Sequence, residues 1–190
     1  MPGLHNVANA TAAIAVALEL NIPFEAAAAA LEGFTGVQRR FTVVGEAHGA
    51  LLIDDYAHHP VEIDATLQAA ESAFPDRRLI AVFQPHRYTR VRDLWSDFCM
   101  SFNRADEVLV CPVYPAGEQP IEGVDHPTLA SEMRDRGHRG THAVDDLDEA
   151  TAWILENVRE GDVVVSLGAG NVNRVVHDLA RSATPGQGEG

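Results

Sequence analysis

The chain has 190 residues, of which 46% are hydrophobic and 22% charged, and its formal net charge is −14 at pH 7. This length and hydrophobic content suit one folded domain, alone or with a piece of a second, and exclude a disordered chain. The acidic balance argues against nucleic acids and anionic membrane surfaces as partners, and no run approaches the ~20 apolar residues that a membrane helix needs.

The first 33 residues predict two helices. The first, over residues 5–20, is rich in alanine and apolar on most faces, and the second begins at Pro23 and ends at Gly33. The pattern then changes, because β-branched runs flank a glycine-containing turn between residues 35 and 57. That pattern predicts a β-hairpin.

Strands and helices alternate after the hairpin. Continuous apolar strands separated by helices indicate an α/β fold with a mostly parallel sheet covered on both faces, and its crossovers are expected to be right-handed. Residues 183–190 are predicted to be a disordered tail. The predicted strands cover residues 79–84, 107–112, 141–144 and 162–167, and the predicted helices cover residues 61–74, 91–102, 126–137, 146–161 and 171–182.

Three unusual segments follow three of the predicted strands. They are DDYAHHP (54–60), PHRYTR (85–90) and GAGN (168–171). In an open α/β sheet, ligands bind outside the carboxyl ends of the strands. Because the segments are separate in sequence and share this position, we expect them to meet in one site.

The arginines of PHRYTR are candidates for an anionic ligand. Arg87 and Arg90 are three residues apart at a predicted helix start, and planar guanidinium groups suit a carboxylate or a phosphate. The alternative is that these two and the nearby Arg92 are surface arginines paired with Asp93 and Asp97.

The DDYAHHP segment contains residue types that bind metals. Asp54, Asp55, His58 and His59 cannot easily converge, however, because adjacent residues of a strand point to opposite faces. No protein-held metal is therefore predicted, and a carboxylate on ribose hydroxyls beside a small polar pocket fits better. One of the histidines could instead cap the helix that starts at Pro60.

Two further motifs leave alternatives open. GAGN before a helix is either a phosphate-binding turn or a tight strand-to-helix turn. Asn6 and Asn9, three residues apart in a first helical turn, suit either contacts to a base edge or N-capping of the helix by one of them.

The cysteines and the amino terminus indicate a cytoplasmic protein. Cys99 and Cys111 lack metal-binding spacing, and we interpret them as reduced, buried thiols. The first residues lack the basic and apolar regions of a signal peptide.

Taken in order, five motifs resemble the Mur ligase family. They are GLHNVANATAA (3–13), GVQRRF (36–41), DDYAHHPVE (54–62), FQPHRYTRVRDL (83–94) and SLGAGNVNRV (166–175). The tyrosine of DDYAHHP and the HRYTR segment favour the branch that uses L-alanine over the relative that attaches a murein tripeptide.

The resemblance implies part of a three-domain enzyme. Residues 1–34 would be the end of a central ATP-binding domain, and residues 35–182 would be a Rossmann-like, amino-acid-binding C-terminal domain. A phosphate loop of the form GxxxxGK[ST] needs a lysine, and the chain has none. We therefore expect a fragment or one part of a split enzyme, whose N-terminal and central domains, with the Mg²⁺ ligands, lie elsewhere.

The implied reaction is ATP-dependent and joins L-alanine to the lactyl carboxylate of UDP-N-acetylmuramate through an acyl phosphate, in peptidoglycan precursor synthesis. The implied nucleotide-binding residues are His5, Asn6 and Asn9 at the adenine, Asp55 at the ribose, and Arg40 with Arg39 at the phosphates. The implied amino-acid-binding residues are Tyr56, His58, Arg87 and Arg90, and Arg40 and His58 are also the expected catalytic residues.

Two hypotheses from other classes remain. One is a non-catalytic nucleotide-binding module that has kept the ligase fold, which the missing phosphate loop favours. The other is a metal-dependent hydrolase built on Asp55, His58 and His86, which residue types alone suggest.

Overall fold

The computed structural model describes residues 3–34 and 36–183, without the side chain of His5. The helices in this range are α1 (Leu4–Glu19), α2 (Phe24–Glu32), α3 (Pro60–Ala73), α4 (Tyr88–Asp93), α5 (Trp95–Met100), α6 (His126–Asp135), α7 (Leu147–Asn157) and α8 (Asn173–Ala183). The strands are β1 (Thr42–Ala47), β2 (Ala50–Asp55), β3 (Leu79–Phe83), β4 (Glu107–Val110), β5 (Thr141–Ala143) and β6 (Val163–Leu167).

The six strands form one sheet in the order β1-β2-β6-β3-β4-β5. β1 and β2 are antiparallel, which confirms the predicted hairpin, and all other neighbours are parallel. Ile53 of β2 and Ala81 of β3 both pair with Val165 of β6, so these three strands end together at one edge of the sheet. The predicted α/β fold with a mostly parallel sheet is confirmed.

Apolar side chains fill both faces of the sheet. Every residue of β2, β3 and β6 is buried, as expected of strands covered on both sides. On one face, Phe83 packs against Phe98 and Phe102, with ring centroids 5.5 and 4.9 Å apart. On the other face, Ile154 of α7 and Leu179 of α8 belong to a second buried cluster. Cys99 and Cys111 are buried and unpaired, as predicted.

One predicted helix is broken. The pattern over residues 91–102 predicted a single helix, but α4 and α5 meet at Leu94, whose φ of −114° and ψ of 22° are not helical. The apolar spacing was interpreted correctly in part, because Phe98 and Phe102 are fully buried. The predicted helix over residues 146–161 also ends early, at Asn157.

The two N-terminal helices pack lightly. No residue of α2 is buried, and α1 contacts α2 and α3. The two predicted helices are confirmed, whereas the domain boundary near residue 34 stays a prediction. The predicted tail lies outside the described residues except for Ala183, which ends α8. The large apolar side chains exposed on α1, on α2 and between them are Leu4, Val7, Val16, Leu18, Leu20, Ile22 and Phe24.

Within the described part of the chain, no helix is both long and apolar enough to cross a membrane.

Candidate functional site

The three segments at the ends of β2, β3 and β6 meet at the carboxyl edge of the sheet, as predicted. Asp54 and Asp55 are the last two residues of β2. The rings of His58 and His86 lie edge to face with centroids 5.8 Å apart. Gln84, directly after β3, donates from Nε2 to Oδ1 of Asn171 at 2.9 Å. Because β6 lies between β2 and β3 in the sheet, the GAGN turn is central and the other two segments flank it.

The adjacent carboxylates Asp54 and Asp55 point to different places, which confirms that they do not converge. Asp54 accepts a hydrogen bond from Ser166 Oγ at 3.1 Å and lies 3.4 Å from Arg39 Nε. Asp55 accepts hydrogen bonds at 2.7 Å from the backbone N–H groups of Phe41 and Ala57. Burial raises the pKa of Asp55, although these two bonds and the charge of Arg40 oppose the shift.

Asp55 also lines a cavity of about 1010 Å³ that lies between α1, α2, α3 and the segment before β1. Its wall is largely apolar, and its lining also includes polar side chains such as Asn6, Arg40 and Asp55. Such a combination suits a flat organic ring with a charged tail. The lining residues are Asn6, Val7, Asn9, Ala10, Ala13, Leu31, Phe34, Val37, Arg40, Asp55, Val61, Glu62, Ala65 and Thr66.

Asn6 and Asn9 line this cavity and do not cap α1. The N-cap residue is Gly3, which has no side chain, and Asn6 and Asn9 lie within the helix. The capping alternative for these two residues is therefore wrong, and their predicted contacts to a base edge stay a prediction. The side chain of His5 lies outside the described residues.

Four aromatic rings contact one another in a row along the site, and we call them the ring row: Tyr56, His58, His86 and Tyr114. His58 Nδ1 lies 2.9 Å from Tyr56 O, and its ring contacts the Tyr56 ring edge on at 5.3 Å. The imidazole of His86 stacks on Tyr114. Burial lowers the pKa of His86, and the charges of Arg90, His58 and Arg87 lower it further.

His59 has a different role from His58. Its side chain accepts a hydrogen bond from the backbone N–H of Val61, and Glu62 accepts hydrogen bonds from the backbone of His59 and of His58 at 3.3 and 3.1 Å. These contacts form a capping box at the start of α3. The capping alternative is confirmed for His59.

The two arginines of PHRYTR do not pair with Asp93 or Asp97. Arg92 forms the ion pair with Asp93, and Arg90 donates from Nη1 to His86 O at 3.3 Å. Arg87 has an exposed side chain, for which the described residues offer no hydrogen bond or ion pair. The surface-pair alternative is therefore wrong for Arg87 and Arg90 and confirmed for Arg92, and Arg87 is available for an anionic ligand beside the ring row.

The neighbours Arg39 and Arg40 separate in space. The Arg39 guanidinium donates to Gly168 O at 2.5 Å and to Gly170 O at 3.2 Å, and lies over the Tyr56 ring at 4.9 Å. Arg40 is exposed and lines the cavity. The predicted phosphate contacts of both residues stay predictions. The two terminal nitrogens of Arg39 already donate to the protein, whereas its buried Nε has no hydrogen-bond partner among the described residues.

The GAGN turn wraps around a side chain that the sequence analysis missed. Gln84 is 6% exposed, and its Oε1 accepts from the Asn171 N–H at 3.0 Å. A Cβ on Gly170 would lie 2.3 Å from that oxygen and 2.8 Å from the Tyr114 ring. The protein fills this turn, which favours the tight-turn interpretation. A glutamine at the end of the apolar run LIAVFQ was a signal for Gln84, whereas nothing in the sequence pointed to Tyr114.

Among the residues that the structure describes, no group of three or more histidines, cysteines or carboxylates could hold a metal ion.

The fold is that of the C-terminal domain of a Mur ligase. The family model for "Mur ligase, glutamate ligase domain" matches residues 39–170, and the chain belongs to that family. The predicted resemblance is therefore confirmed.

The relatives named UDP-N-acetylmuramate--L-alanine ligase are similar over nearly the whole chain. The protein of Methylobacterium radiotolerans is 51% identical over 97% of this chain and 39% of its own length, and that of Desulfosudis oleivorans is 48% identical over 94% and 39%. The crystal structure of the UDP-N-acetylmuramate-alanine ligase of Thermotoga maritima has a TM-score of 0.79 and 31% identity, and covers 96% of this chain and 38% of that chain. A murein peptide ligase of Psychrobacter arcticus has a TM-score of 0.67 and 27% identity over 96% and 38%. The chain thus spans about two fifths of the length of these relatives.

Proposed function

We propose that this chain supplies the amino-acid-binding part of an ATP-dependent ligase that joins L-alanine to UDP-N-acetylmuramate. The observation that carries the proposal is the place where the histidine and arginine segments meet, beside a cavity suited to a nucleotide. The relatives' names support the choice of substrates. The enzyme would act in the cytoplasm, in peptidoglycan precursor synthesis, together with the N-terminal and central domains that the relatives' greater length supplies.

The cavity is the nucleotide side of the proposed site. Asn6 and Asn9 would contact the adenine through their amides, and Asp55 would accept from the ribose hydroxyls. Arg40, with no engaged side-chain partner among the described residues, would neutralise the charge that develops on the transferred phosphoryl group. Mg²⁺ bound with ATP would add to this neutralisation, and we expect its ligands outside this chain.

The ring row is the amino-acid side. The free guanidinium of Arg87 would bind the L-alanine carboxylate bidentately, and Arg90 would reinforce it from the helix above. Tyr56 and His58 would enclose the small side chain and the amine. His86, whose pKa is lowered, stays neutral near pH 7 and does not repel the incoming amine.

The proposed chemistry is a two-step acyl transfer. An oxygen of the lactyl carboxylate attacks the γ-phosphorus and ADP leaves, which forms an acyl phosphate. The L-alanine nitrogen then attacks the acyl carbon, phosphate leaves, and the nitrogen loses a proton. His58 lies beside the predicted amine position, so we assign it the orientation of that group. The chain's main contribution would be orientation, which contributes up to ~7–11 kcal/mol in ideal cases.

A second candidate is a ligase that attaches a murein tripeptide to the same sugar nucleotide. The likeness to the Psychrobacter arcticus murein peptide ligase supports it, but identity and TM-score are both lower than for the Thermotoga maritima alanine ligase. The two candidates differ in the size of the amine substrate.

A chimera tests the proposal directly. Residues 3–183 would replace the corresponding part of the Thermotoga maritima ligase, and phosphate release would be followed with UDP-N-acetylmuramate, ATP and either L-alanine or the tripeptide. We expect release that depends on L-alanine. Activity with the tripeptide alone would support the second candidate, and a chimera that folds and binds ATP but uses neither amine would contradict both.

A further inference from the structure

We propose that Gln84 and Arg39 are positioning residues that grip the turn of residues 168–171 from opposite sides and thereby hold Arg40 at the cavity. Neither residue needs to touch a substrate for this role. The effect on ATP use rests on the proposed function, whereas the clamp itself is a property of the fold.

Gln84 grips the turn from inside. Its amide makes two hydrogen bonds to Asn171, accepting from the backbone N–H and donating to the side chain. Its backbone N–H also donates to Leu167 O at 3.0 Å, which ties it to the last residue of β6. Gly168 has a φ of 155°, and a Cβ there would lie 3.0 Å from Gln84 O. The backbone of the turn therefore packs closely around Gln84. A buried amide whose oxygen and nitrogen both form hydrogen bonds has little conformational freedom.

Arg39 grips the same turn from outside. Its two terminal nitrogens donate to the carbonyls of Gly168 and Gly170, and the opposed Asp54 carboxylate lies 3.4 Å from Nε. The carbonyls can accept from Arg39 in this way because Gln84 holds the turn in its present shape. Nη1 and Nη2 each donate one N–H in this way, which holds the guanidinium against the turn.

The grip matters because the segment around Arg40 is strained. Arg39 and Phe41 have φ values of 58° and 49°, in the left-handed region that residues with a Cβ rarely adopt. Such residues persist only where the surroundings fix them. The fixing contacts are the Arg39 clamp, a bond from the Tyr56 N–H to Arg39 O at 2.8 Å, and a bond from the Phe41 N–H to Asp55.

Arg40 lies between these two strained residues and faces the cavity that Asp55 also lines. If the turn loosened, Arg39 would lose its two carbonyl partners. The strained segment of residues 39–41 would then no longer be held in place. The Phe41 N–H bond to Asp55 would then open, so that Arg40 and Asp55 lose their common placement.

Hydrogen exchange of the 190-residue chain tests the clamp without any activity assay. The variants are Gln84→Met and the milder Asn171→Leu, with Asn171→Asp as the conservative variant that keeps the acceptor for Gln84 Nε2. We expect Gln84→Met and Asn171→Leu to speed hydrogen exchange of the Tyr56 and Phe41 backbone N–H groups about tenfold, beyond any change that global unfolding accounts for. In Asn171→Asp, these two N–H groups should exchange at the wild-type rate. The exposed Gln68→Met variant controls for the loss of an amide.

The exchange outcomes are decisive either way. Faster exchange confined to Asn171, with Tyr56 and Phe41 unchanged, would overturn the proposal. If Gln84→Met does not fold, Asn171→Leu alone decides it. Arg39→Met should speed exchange of the same two backbone N–H groups. The surface variant Arg136→Met, which loses contacts with Glu132 and Ser96 far from the turn in sequence, should not.

Kinetics in an active chimera test the consequence for ATP. Asn171→Leu should raise the KM for ATP about tenfold and change the KM for L-alanine less than about twofold, and Asn171→Asp should reverse the effect. If the parent chimera shows no L-alanine-dependent activity, the proposed function fails while the exchange result still judges the clamp. If the parent is active and Asn171→Leu keeps the parental KM for ATP, the positioning role is wrong.

Discussion

The imidazole of His86 stacks on the phenol ring of Tyr114, with centroids 5.3 Å apart and ring planes 8° from parallel. A backbone bridge pairs the same two residues. This contact joins the arginine segment to the loop after β4, and it places His86 where burial and three neighbouring cationic or imidazole groups act on it.

The lowered pKa of His86 predicts a pH dependence of stability. The unfolded chain takes up this proton near 6.5, whereas the folded protein takes it up only at lower pH. Between those two values the unfolded state binds more protons, so stability rises with pH. The contribution is fully present above about pH 6.5 and is lost as the pH falls below it.

Urea denaturation between about pH 5 and 7.5 measures this effect. His86→Gln removes the titrating group, so we expect the variant to lose less stability on acidification than the wild type. His48→Asn, at a turn position with a φ of 52°, is the control for replacing a surface histidine. Equal slopes for wild type and His86→Gln would show that His86 does not carry the pH dependence.

In an active ligase carrying this chain, Arg87→Ala should mainly weaken the use of L-alanine. A charge-assisted bidentate contact would be lost, so kcat/KM for L-alanine should fall by a factor that corresponds to about 2 kcal/mol or more of transition-state stabilisation. The KM for ATP should stay near normal. Folding should be unaffected, because the structure gives the Arg87 side chain no hydrogen-bond partner among the described residues. Arg92→Ala, which removes a surface ion pair, is the matched control. A rise in the KM for ATP instead would show that Arg87 belongs to the nucleotide side.

The 190-residue chain alone should neither hydrolyse ATP nor ligate L-alanine. The physical reason is that a phosphate loop needs its lysine, and the chain contains no lysine. Phosphate release by the purified chain, with and without L-alanine and UDP-N-acetylmuramate, is the measurement. Release above the buffer blank that depends on L-alanine would refute the prediction.

A chain beginning at residue 35 should stay folded and become more monomeric. No residue of α2 is buried, and α1 and the link to α2 expose large apolar side chains such as Leu20 at 68% and Val7 at 61%. A patch of this kind drives association. Light scattering gives the mass of both forms, and a thermal melt gives their stability. Unfolding of the shortened chain would mean that the two helices belong to the core of the second domain.

Gly170→Ala should destabilise the protein by about 1–3 kcal/mol, because the new methyl group would overlap Gln84 and Tyr114. Gly33→Ala is the matched control, since a Cβ there meets only ordinary contacts at 3.8 Å or more. Chemical denaturation measures both. Equal stability of the two variants would show that the turn yields without cost.

Much of the fold could be predicted because its signals are local. The runs LIAVF and VVVSL are short, apolar and rich in β-branched residues, which favours buried strands, and the segments between them carry helical patterns. The break at Leu94 could not be predicted, because residues 91–102 keep a continuous helical pattern. Its non-helical torsion angles place α5 so that Phe98 reaches Phe83.

The sequence also determined where the site lies, since strand ends and motif positions can be read directly, and the family resemblance supplied the roles predicted for His58, Arg87 and Arg90. Only the tertiary structure decided which polar groups are free for a ligand. Arg39 and Arg40 are neighbours of the same type, yet carbonyls from a turn more than a hundred residues away engage one guanidinium and leave the other at the cavity. The strand order that brings β6 between β2 and β3 is long-range, so no local pattern could reveal that contact, nor the hydrogen bonds between Gln84 and Asn171.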